Sequence, residues 1–348
     1  MLRRSFLILV ALSRLASAVS ITEDFSTDPA NSWSFGIGDN SRTQIVWTGS
    51  ALNVHYDSSQ PTVRFQRPLG VTVADTDDFK LTARFRIDFL HAPDDQFMQI
   101  AFGLVNTSLT GGDRTGSLAN FYSDDTFHSI EFSYFPNYST FFDTGPTLTP
   151  VVFGAQIATN ADAFANIASI FGSDSDLHDN TNGVTALPTN VTLQATLTYR
   201  SATKTLTLAV SIVNSNILDT GVPPLVLTSS YYDPNFPFRC DALAVMAYRD
   251  GFTTTNDPSL IADVQFQDFE FLKPEPPPTA INITGSDVVL SFPADSNFVY
   301  AVQSRADLTT GSWSNIAANI TGPGIATNVD SGAATAPARF YRVGVTFP

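Results

Sequence analysis

Residues 127–136, FHSIEFSYFP, alternate between two chemical classes of side chain. The first class is apolar or aromatic, apart from one histidine, and comprises His128, Ile130, Phe132 and Tyr134. The second class is polar and comprises Ser129, Glu131 and Ser133. Successive side chains of a strand point to opposite sides of a sheet, so each class occupies one face. The stretch predicts a strand in the middle of a sheet, with one packed face and one face open to a ligand.

Comparable strand patterns recur along the chain, with almost no helical periodicity, as is typical of a β-sandwich or barrel. Residues 79–89 alternate most regularly, and the polar side of that strand, with Lys80, Arg84 and Arg86, is expected to be solvated. Further strands are predicted over residues 45–48, 51–56, 97–105, 191–199, 204–213, 241–248 and 262–272. One short helix is predicted over residues 160–171. A shift in apolar register at Gln267-Asp268 predicts a β-bulge.

The first eighteen residues have the features of a secretory signal peptide. Arg3 and Arg4 precede the apolar run of residues 6–12, and Ala16-Ser17-Ala18 fits the A-x-A cleavage pattern. We expect cleavage before Val19 and a secreted protein, extracellular or at the cell surface. The apolar run is shorter than the about 20 residues that span a bilayer, so membrane insertion is not expected.

The chain is strongly acidic, with 33 Asp and Glu against 18 Lys and Arg and a formal net charge of −15. Loss of Arg3, Arg4 and Arg14 with the signal peptide would take the charge from −15 to −18. This balance argues against nucleic acid and anionic membranes as partners, because both repel a negative protein.

Cys240 is the single cysteine, so an internal disulfide is excluded and a small buried apolar role is expected for it. The four histidines, at positions 55, 91, 128 and 178, are scattered along the chain. A zinc site is therefore not expected. P-loop, dinucleotide and G-x-S-x-G motifs are also absent from the sequence, so phosphoryl transfer, hydride transfer and serine-esterase chemistry have no support.

A proline-rich stretch at residues 274–278, PEPPP, predicts a stiff linker between two modules. The preceding module spans residues 19–273, and a smaller one spans residues 279–348. Within the smaller module, strands are predicted over residues 280–283, 288–292, 298–304 and 340–345.

Two segments of the smaller module are distinctive, QSRADLTTGSW at residues 303–313 and RFYRV at residues 339–343. Together they resemble a small C-terminal β-sandwich module that recurs in secreted bacterial proteins, with an S-x-D-L, G-x-W and F-Y-R-V pattern. The resemblance implies export and attachment to a surface or partner, and it implies no particular chemistry.

The larger module opens with ITEDF at residues 21–25, followed by Trp33, and closes with a strand at residues 266–271 that is expected to pair beside the first. With the strand spacing, these features resemble the concanavalin A-like lectin and glucanase superfamily. The resemblance implies a jelly roll of two antiparallel sheets that holds carbohydrate on a sheet face or its rim. The predicted fold is therefore all-β, a jelly-roll β-sandwich followed by a second, smaller β-sandwich module.

The preferred functional interpretation is a secreted, lectin-like protein that binds a polysaccharide or other glycan without cleaving it. Polar groups of the predicted strand would bond sugar hydroxyls, and nearby aromatic rings would stack on the apolar faces of sugars. The candidate ligand-binding residues are Glu131, Ser129, Ser133, Tyr138, Tyr231 and Tyr232.

A glycoside hydrolase with Glu131 as catalytic carboxylate is the first alternative. Laminarinase-type members of the superfamily carry E-x-D-x-x-E on one strand, and Glu131 aligns with the nucleophile. Ser133 and Pro136 replace the aspartate and the acid/base. Hydrolysis needs two carboxyl groups, about 5 to 5.5 Å apart for retention or about 6.5 to 9.5 Å for inversion. Asp241 or Glu270 would have to supply the second.

A structural or adhesive cell-surface protein is the second alternative, in which Glu131 is a solvated strand residue. Calcium is a separate possibility, because DSDLHDN at residues 174–180 places oxygen ligands at alternate positions. The candidate ligands are Asp174, Asp176 and Asp179. The segment has neither the glycine nor the glutamate of an EF-hand, and a solvated turn is the favoured interpretation. The sequence carries no indication of an oligomeric state.

Overall fold

The structure is a computed structural model that describes residues 19–37, 44–57, 60, 63–92, 100–108, 129–136, 147–153, 187–213, 229–231, 238–247 and 261–348. The predicted signal peptide and the predicted helix at residues 160–171 lie outside these residues. Within the described ranges, no helix has the length and apolar character needed to cross a membrane.

The described residues form two compact units: one is Ile21–Phe271, and the other is Leu272–Pro348 together with Val19 and Ser20. The strands up to the end of the first unit are β1 (Val19–Glu23), β2 (Ser34–Ile37), β3 (Ile45–Trp47), β4 (Leu52–Asp57), β5 (Val63–Ala74), β6 (Phe79–His91), β7 (Ile100–Val105), β8 (Ser129–Phe135), β9 (Thr147–Phe153), β10 (Thr192–Arg200), β11 (Thr205–Ile212), β12 (Ser229–Tyr231), β13 (Arg239–Ala247) and β14 (Ile261–Lys273). The following strands are β15 (Ala280–Thr284), β16 (Asp287–Ala294), β17 (Val299–Arg305), β18 (Ser314–Thr321), β19 (Gly324–Asp330) and β20 (Phe340–Thr346). Two 3-10 turns cover Pro29–Asn31 and Ala333–Thr335.

Two antiparallel sheets make up the large unit. An eight-stranded sheet has the order β12-β11-β10-β6-β14-β4-β3, with β1 paired to β14, and a six-stranded sheet has the order β2-β5-β13-β7-β8-β9. Aromatic contacts join their inward faces: the ring of Phe85 lies 5.5 Å from that of Phe132, and the ring of Phe102 lies 5.6 Å from that of Phe266. The predicted all-β jelly-roll sandwich is confirmed.

Most of the strongly alternating segments form the predicted strands. The β10–β11 hairpin pairs Arg200 with Thr205, and the strand at the start of the unit lies beside β14 as expected. The burial pattern of β14 has two consecutive half-exposed residues at Gln267-Asp268, which matches the predicted change in register. The prediction missed β5, because its Pro68 and Gly70 interrupt the alternation.

A buried polar cluster lies at the start of the large unit. The Oε1 atom of Glu23 accepts a hydrogen bond from the amide of Phe25 at 3.1 Å. Its Oε2 atom accepts from the Trp33 indole and from the Arg67 guanidinium, each at 2.8 Å. The Trp33 ring stacks on Phe65 with 5.3 Å between centroids. One carboxylate thus holds β1, β5 and the turn before β2 together.

The second unit is a smaller sandwich of two three-stranded sheets, β15-β16-β19 and β18-β17-β20. One core lies between them, and it includes Leu290, Phe292, Phe298, Tyr300, Val302 and Val343. The second unit is thus a smaller β-sandwich, in agreement with the predicted fold class, and the resemblance of its segments to the recurring bacterial module stays a prediction. Strands β18 and β19 were not predicted, because their sequences are polar and lack a regular apolar alternation.

Candidate functional site

The predicted central strand is β8, and it lies between β7 and β9 in the six-stranded sheet. Its inward side chains Ile130, Phe132 and Tyr134 are fully buried, as predicted. The hydroxyl of Tyr134 accepts a hydrogen bond from the amide of Leu187 at 3.1 Å. Burial raises the pKa of Tyr134 to about 12, so this phenol stays neutral at physiological pH.

The outward side of β8 is also buried, which differs from the open face that the alternation indicated. Ser129 and Glu131 each have 0 % of their surface exposed. The Ser129 hydroxyl donates a 2.6 Å hydrogen bond to Oε1 of Glu131. A ligand can reach this carboxylate only if the residues that cover it move. The assignment of Glu131 and Ser129 as ligand contacts therefore stays a prediction.

Gly103 explains how the backbones fit together at this point. It is the β7 partner of Glu131 in the sheet register. A Cβ atom at residue 103 would overlap the carbonyl oxygen of Ile130 and lie 2.8 Å from the Cα atom of Glu131. Only glycine leaves room for the two strands to approach this closely.

Cys240, on β13, is fully buried and unpaired by any disulfide, as expected. Burial raises the pKa of its thiol, and the charges of Asp241 and Glu131 add to that rise. The thiol therefore stays protonated and behaves as a small apolar group rather than a nucleophile.

The two carboxylates considered as partners of Glu131 have other positions. Both oxygens of the Asp241 carboxylate bind Thr107, through its amide at 2.8 Å and its hydroxyl at 2.9 Å. Glu270 lies on β14, in the other sheet, between the inward rings of Phe269 and Phe271. It therefore points away from the core on the side opposite to Glu131, and the two do not form a catalytic pair.

The side chains of the remaining predicted site residues lie outside the described part of the chain. The side chains of Ser133 and Tyr231, and the whole of Tyr138 and Tyr232, lie outside the described residues. The candidate calcium ligands Asp174, Asp176 and Asp179 lie outside them as well. In the part of the chain that the structure does describe, no group of three or more His, Cys, Asp or Glu could hold a metal ion.

The outward side of the eight-stranded sheet carries a broad set of polar side chains, which we call the polar face. These side chains come from β4, β6, β10 and β14, whose inward neighbours are buried. All are partly exposed or exposed: Asn53, His55, Lys80, Thr82, Arg84, Arg86, Thr192, Gln194, Thr196, Thr198, Asp263 and Gln265.

Cross-strand hydrogen bonds connect the neutral groups of the polar face. Gln265 donates to Oδ1 of Asn53 at 3.3 Å, and the hydroxyls of Thr82 and Thr196 are 3.3 Å apart. Both distances lie beyond the usual range for such bonds, which indicates weak mutual bonding. These amides and hydroxyls can therefore exchange partners with the hydroxyls of a ligand.

Most charged groups of the polar face are paired with one another or with a neighbouring carboxylate. His55 Nδ1 lies 2.7 Å from Oδ1 of Asp263. Arg84 pairs with Asp268, and Arg86 pairs with Asp88. Hydrogen bonding to these carboxylates raises the pKa of both arginines. Because most of its cations are neutralised, the face suits a neutral, hydroxyl-rich ligand better than an anion.

The sequence indicated part of this surface. Alternation in residues 79–89 showed that Lys80, Arg84 and Arg86 share an outward side, and the structure confirms their exposure. Which strands lie beside them depends on sheet order, which single-strand patterns do not encode. The register that brings Thr82 beside Thr196 is visible only in the folded sheet.

Comparison with known proteins found no family model that matches the chain and no curated protein with a matching sequence. Among solved structures, it is similar to peanut lectin (12% identity, TM-score 0.42), with 74% of this chain and 98% of that chain covered. Winged bean acidic lectin in complex with methyl-α-D-galactose shows 13% identity and a TM-score of 0.42, covering 74% of this chain and 100% of that chain. Alginate lyase Aly36B shows 10% identity and a TM-score of 0.41, covering 74% and 97%.

These solved structures are concanavalin A-like jelly rolls, the fold that the sequence resemblance implied. The fold of the large unit is established by its own two sheets. The bound galactoside is a property of the winged bean lectin structure, and the lyase activity is a property of Aly36B.

Proposed function

We propose that this protein is a secreted carbohydrate-binding protein that does not cleave its ligand. The polar face carries the proposal, because it presents amide and hydroxyl groups across four neighbouring strands with weak bonds among themselves. Sugar hydroxyls both donate and accept hydrogen bonds, and amide side chains match that double capacity. The signal-like N-terminus supports secretion.

The burial of Glu131 supports binding over hydrolysis. Both classes of glycosidase need two carboxyl groups that flank the scissile bond and reach a water molecule. Glu131 is fully buried and bonded to Ser129, Asp241 is bonded to Thr107, and Glu270 faces the opposite side. The contacts of Ser133, Tyr138, Tyr231 and Tyr232 with a glycan remain part of the proposal.

The first test is a glycan-array screen of residues 19–348, with and without EDTA, beside a reducing-sugar release assay on the same polysaccharides. We expect retention of neutral glycans without release of reducing ends. Loss of retention in EDTA would add calcium to the binding site. Absence of retention across the array would reject the carbohydrate-binding role.

A Gln265→Ala variant is expected to weaken glycan binding by about threefold to tenfold, because one neutral hydrogen bond contributes about 0.5 to 1.5 kcal/mol. Affinity would be measured by titration calorimetry with the best glycan of the array. Asn297→Ala, an exposed amide in the small unit, is the matched control. If the two variants change the affinity equally, the polar face is not part of the glycan-binding site.

A Glu131→Gln variant is expected to lower the free energy of unfolding by about 1 kcal/mol. The change replaces the carboxyl oxygen that accepts from the Ser129 hydroxyl by an amide oxygen, which bonds more weakly. Thermal melting measures the stability, and the sugar-release assay is run in parallel. Sugar release by the wild type that disappears in Glu131→Gln would support the hydrolase instead.

A further inference from the structure

The two distinctive segments of the small unit meet at one cluster, formed by Arg305, Trp313 and Arg342. The guanidinium carbon of Arg342 lies 4.5 Å from the centroid of the Trp313 ring. That of Arg305 lies 5.6 Å from the same ring. We call this group the arginine–tryptophan cluster. Both cations are held by one indole through cation–π attraction.

The loop between β17 and β18 fixes the first arginine. The Asp307 carboxylate accepts hydrogen bonds from the Thr309 amide and hydroxyl, both at 2.7 Å. These bonds lower the pKa of Asp307 to about 2 and keep it charged. The folded loop presents the carbonyl oxygen of Thr310, which accepts from Nη2 of Arg305 at 3.0 Å.

Sheet register fixes the second arginine. Gln303 on β17 pairs with Arg342 on β20, and its Oε1 atom accepts from Nε of Arg342 at 2.7 Å. The amide nitrogen of Gln303 donates to Oδ1 of Asn315 at 2.8 Å. The cluster is therefore held in place by neutral groups and carries two amides beside its cations.

Neither arginine of the cluster has an acidic partner among the described residues, although the chain is strongly acidic. Arg339, three positions before Arg342, bonds Asp330 at 3.2 Å. Lys273 bonds Glu275 at 3.1 Å. In addition, the Nε atom of Arg305 is buried without a hydrogen-bond partner. Two neighbouring cations without an acidic partner repel each other, and a bound anion would relieve that repulsion.

We propose that the arginine–tryptophan cluster binds the carboxylate of an acidic polysaccharide, as a uronic acid unit carries. The planar fork of a guanidinium matches the two oxygens of a carboxylate. Gln303 and Asn315 supply amides for the neighbouring sugar hydroxyls. The small unit, with four Lys and Arg against five Asp and Glu, has a net charge of −1, so it repels a polyanion less than the rest of the chain does.

The test uses the full chain and three polymers in affinity electrophoresis: polygalacturonate, its fully methyl-esterified form, and poly-glutamate. The ester keeps the sugar backbone and removes the charge. We expect polygalacturonate to retard the wild-type protein, its ester to retard it at least tenfold less, and added salt to weaken the binding. The wild-type protein alone can overturn the proposal: either equal retardation by the ester or no retardation by polygalacturonate would do so.

Variants then locate the site. Arg342→Gln is expected to weaken polygalacturonate binding at least tenfold, and Arg342→Lys severalfold, since lysine keeps the charge and lacks the planar fork. Arg339→Gln makes the same change in charge at an arginine already paired with Asp330, and it should stay within twofold. Equal losses in Arg339→Gln and Arg342→Gln would indicate general charge attraction and overturn the site.

The remaining outcomes distinguish other roles of the cluster. Tighter binding of poly-glutamate, with the same dependence on Arg342, would reassign the site to acidic proteins. A lower melting temperature in Arg342→Gln, with unchanged polymer binding, would make the cluster a purely structural contact. The site is separate from the polar face, so a Gln265→Ala effect on neutral glycans and an Arg342→Gln effect on polygalacturonate are independent results.

Discussion

Replacement of Glu23 by Ala is expected to lower the free energy of unfolding of the large unit by about 3 kcal/mol. Removal of one partner of a buried ion pair typically costs about 3 to 5 kcal/mol, because the other charge stays buried and unpaired. Here the groups that lose an acceptor are the Phe25 amide, the Trp33 indole N–H and the Arg67 guanidinium. The guanidinium keeps its bond to the carbonyl oxygen of Thr22 at 3.1 Å. The Arg67 side chain keeps 23% exposure, which places the effect near the lower end of that range.

Urea denaturation followed by tryptophan fluorescence measures this effect. A Trp313→Phe background removes the fluorophore of the small unit and leaves Trp33 and Trp47, both in the large unit. At about 2 to 4 °C per kcal/mol, the melting temperature should fall by about 6 to 12 °C. The control is Asp24→Ala, whose exposed carboxylate caps only a local turn at Ser26, and it should change stability by less than about 0.5 kcal/mol. Similar losses in both variants would contradict the role of the buried pair.

Replacement of Gly103 by Ala is expected to destabilise the large unit by about 3 kcal/mol or more. The added methyl group would meet backbone atoms of β8, the Ile130 carbonyl and the Glu131 Cα, which cannot rotate away as a side chain can. Overpacking of this kind forces strands apart, and such changes cost about 1 to 3 kcal/mol even where flexible side chains absorb them. Partial loss of the ladder between β7 and β8 should follow.

Hydrogen exchange of β7 and β8 amides, together with the melting temperature, tests the Gly103→Ala prediction. Gly344→Ala is the matched control, since it is also a strand glycine and its added Cβ would lie 3.8 Å from the nearest atom, the carbonyl oxygen of Ala301. That distance is an ordinary van der Waals contact, so the melting temperature of Gly344→Ala should be almost unchanged. If Gly103→Ala melts within 1 °C of the wild type, the close approach of β7 to β8 is not as described.

Strand alternation was a good guide to the fold for residues that pack between the sheets. In β6, β8 and β10 the inward residues are large and apolar, and hydrophobic burial selects which face they occupy. The same rule fails for β5, because Pro68 and Gly70 at its irregular pairing with β13 carry no apolar signal. Here the sheet itself, rather than a local pattern, makes the segment a strand.

The site was harder to predict than the fold, for a physical reason. Alternation showed that Ser129 and Glu131 lie opposite Ile130 and Phe132, but it cannot show whether a polar side is covered by other parts of the chain. The strands that neighbour β8 come from other segments of the chain, and the pattern of β8 alone contains no information about them. Likewise, Arg305, Trp313 and Arg342 belong to recognisable segments, yet only folding brings them to one point.

The ends of the two large sheets have a consequence for self-association. Among the described strands, the eight-stranded sheet ends in β3 and β12, each three residues long, and the six-stranded sheet ends in the four-residue β2 and in β9. Strand β9 contains Pro150, which has no amide hydrogen to offer a neighbouring chain. A second molecule can form only a few backbone hydrogen bonds with edge strands that are short or contain proline, and this protects against edge-to-edge aggregation. We therefore expect the large unit to stay dispersed at high concentration, even at a pH near its isoelectric point, where charge repulsion no longer separates the molecules.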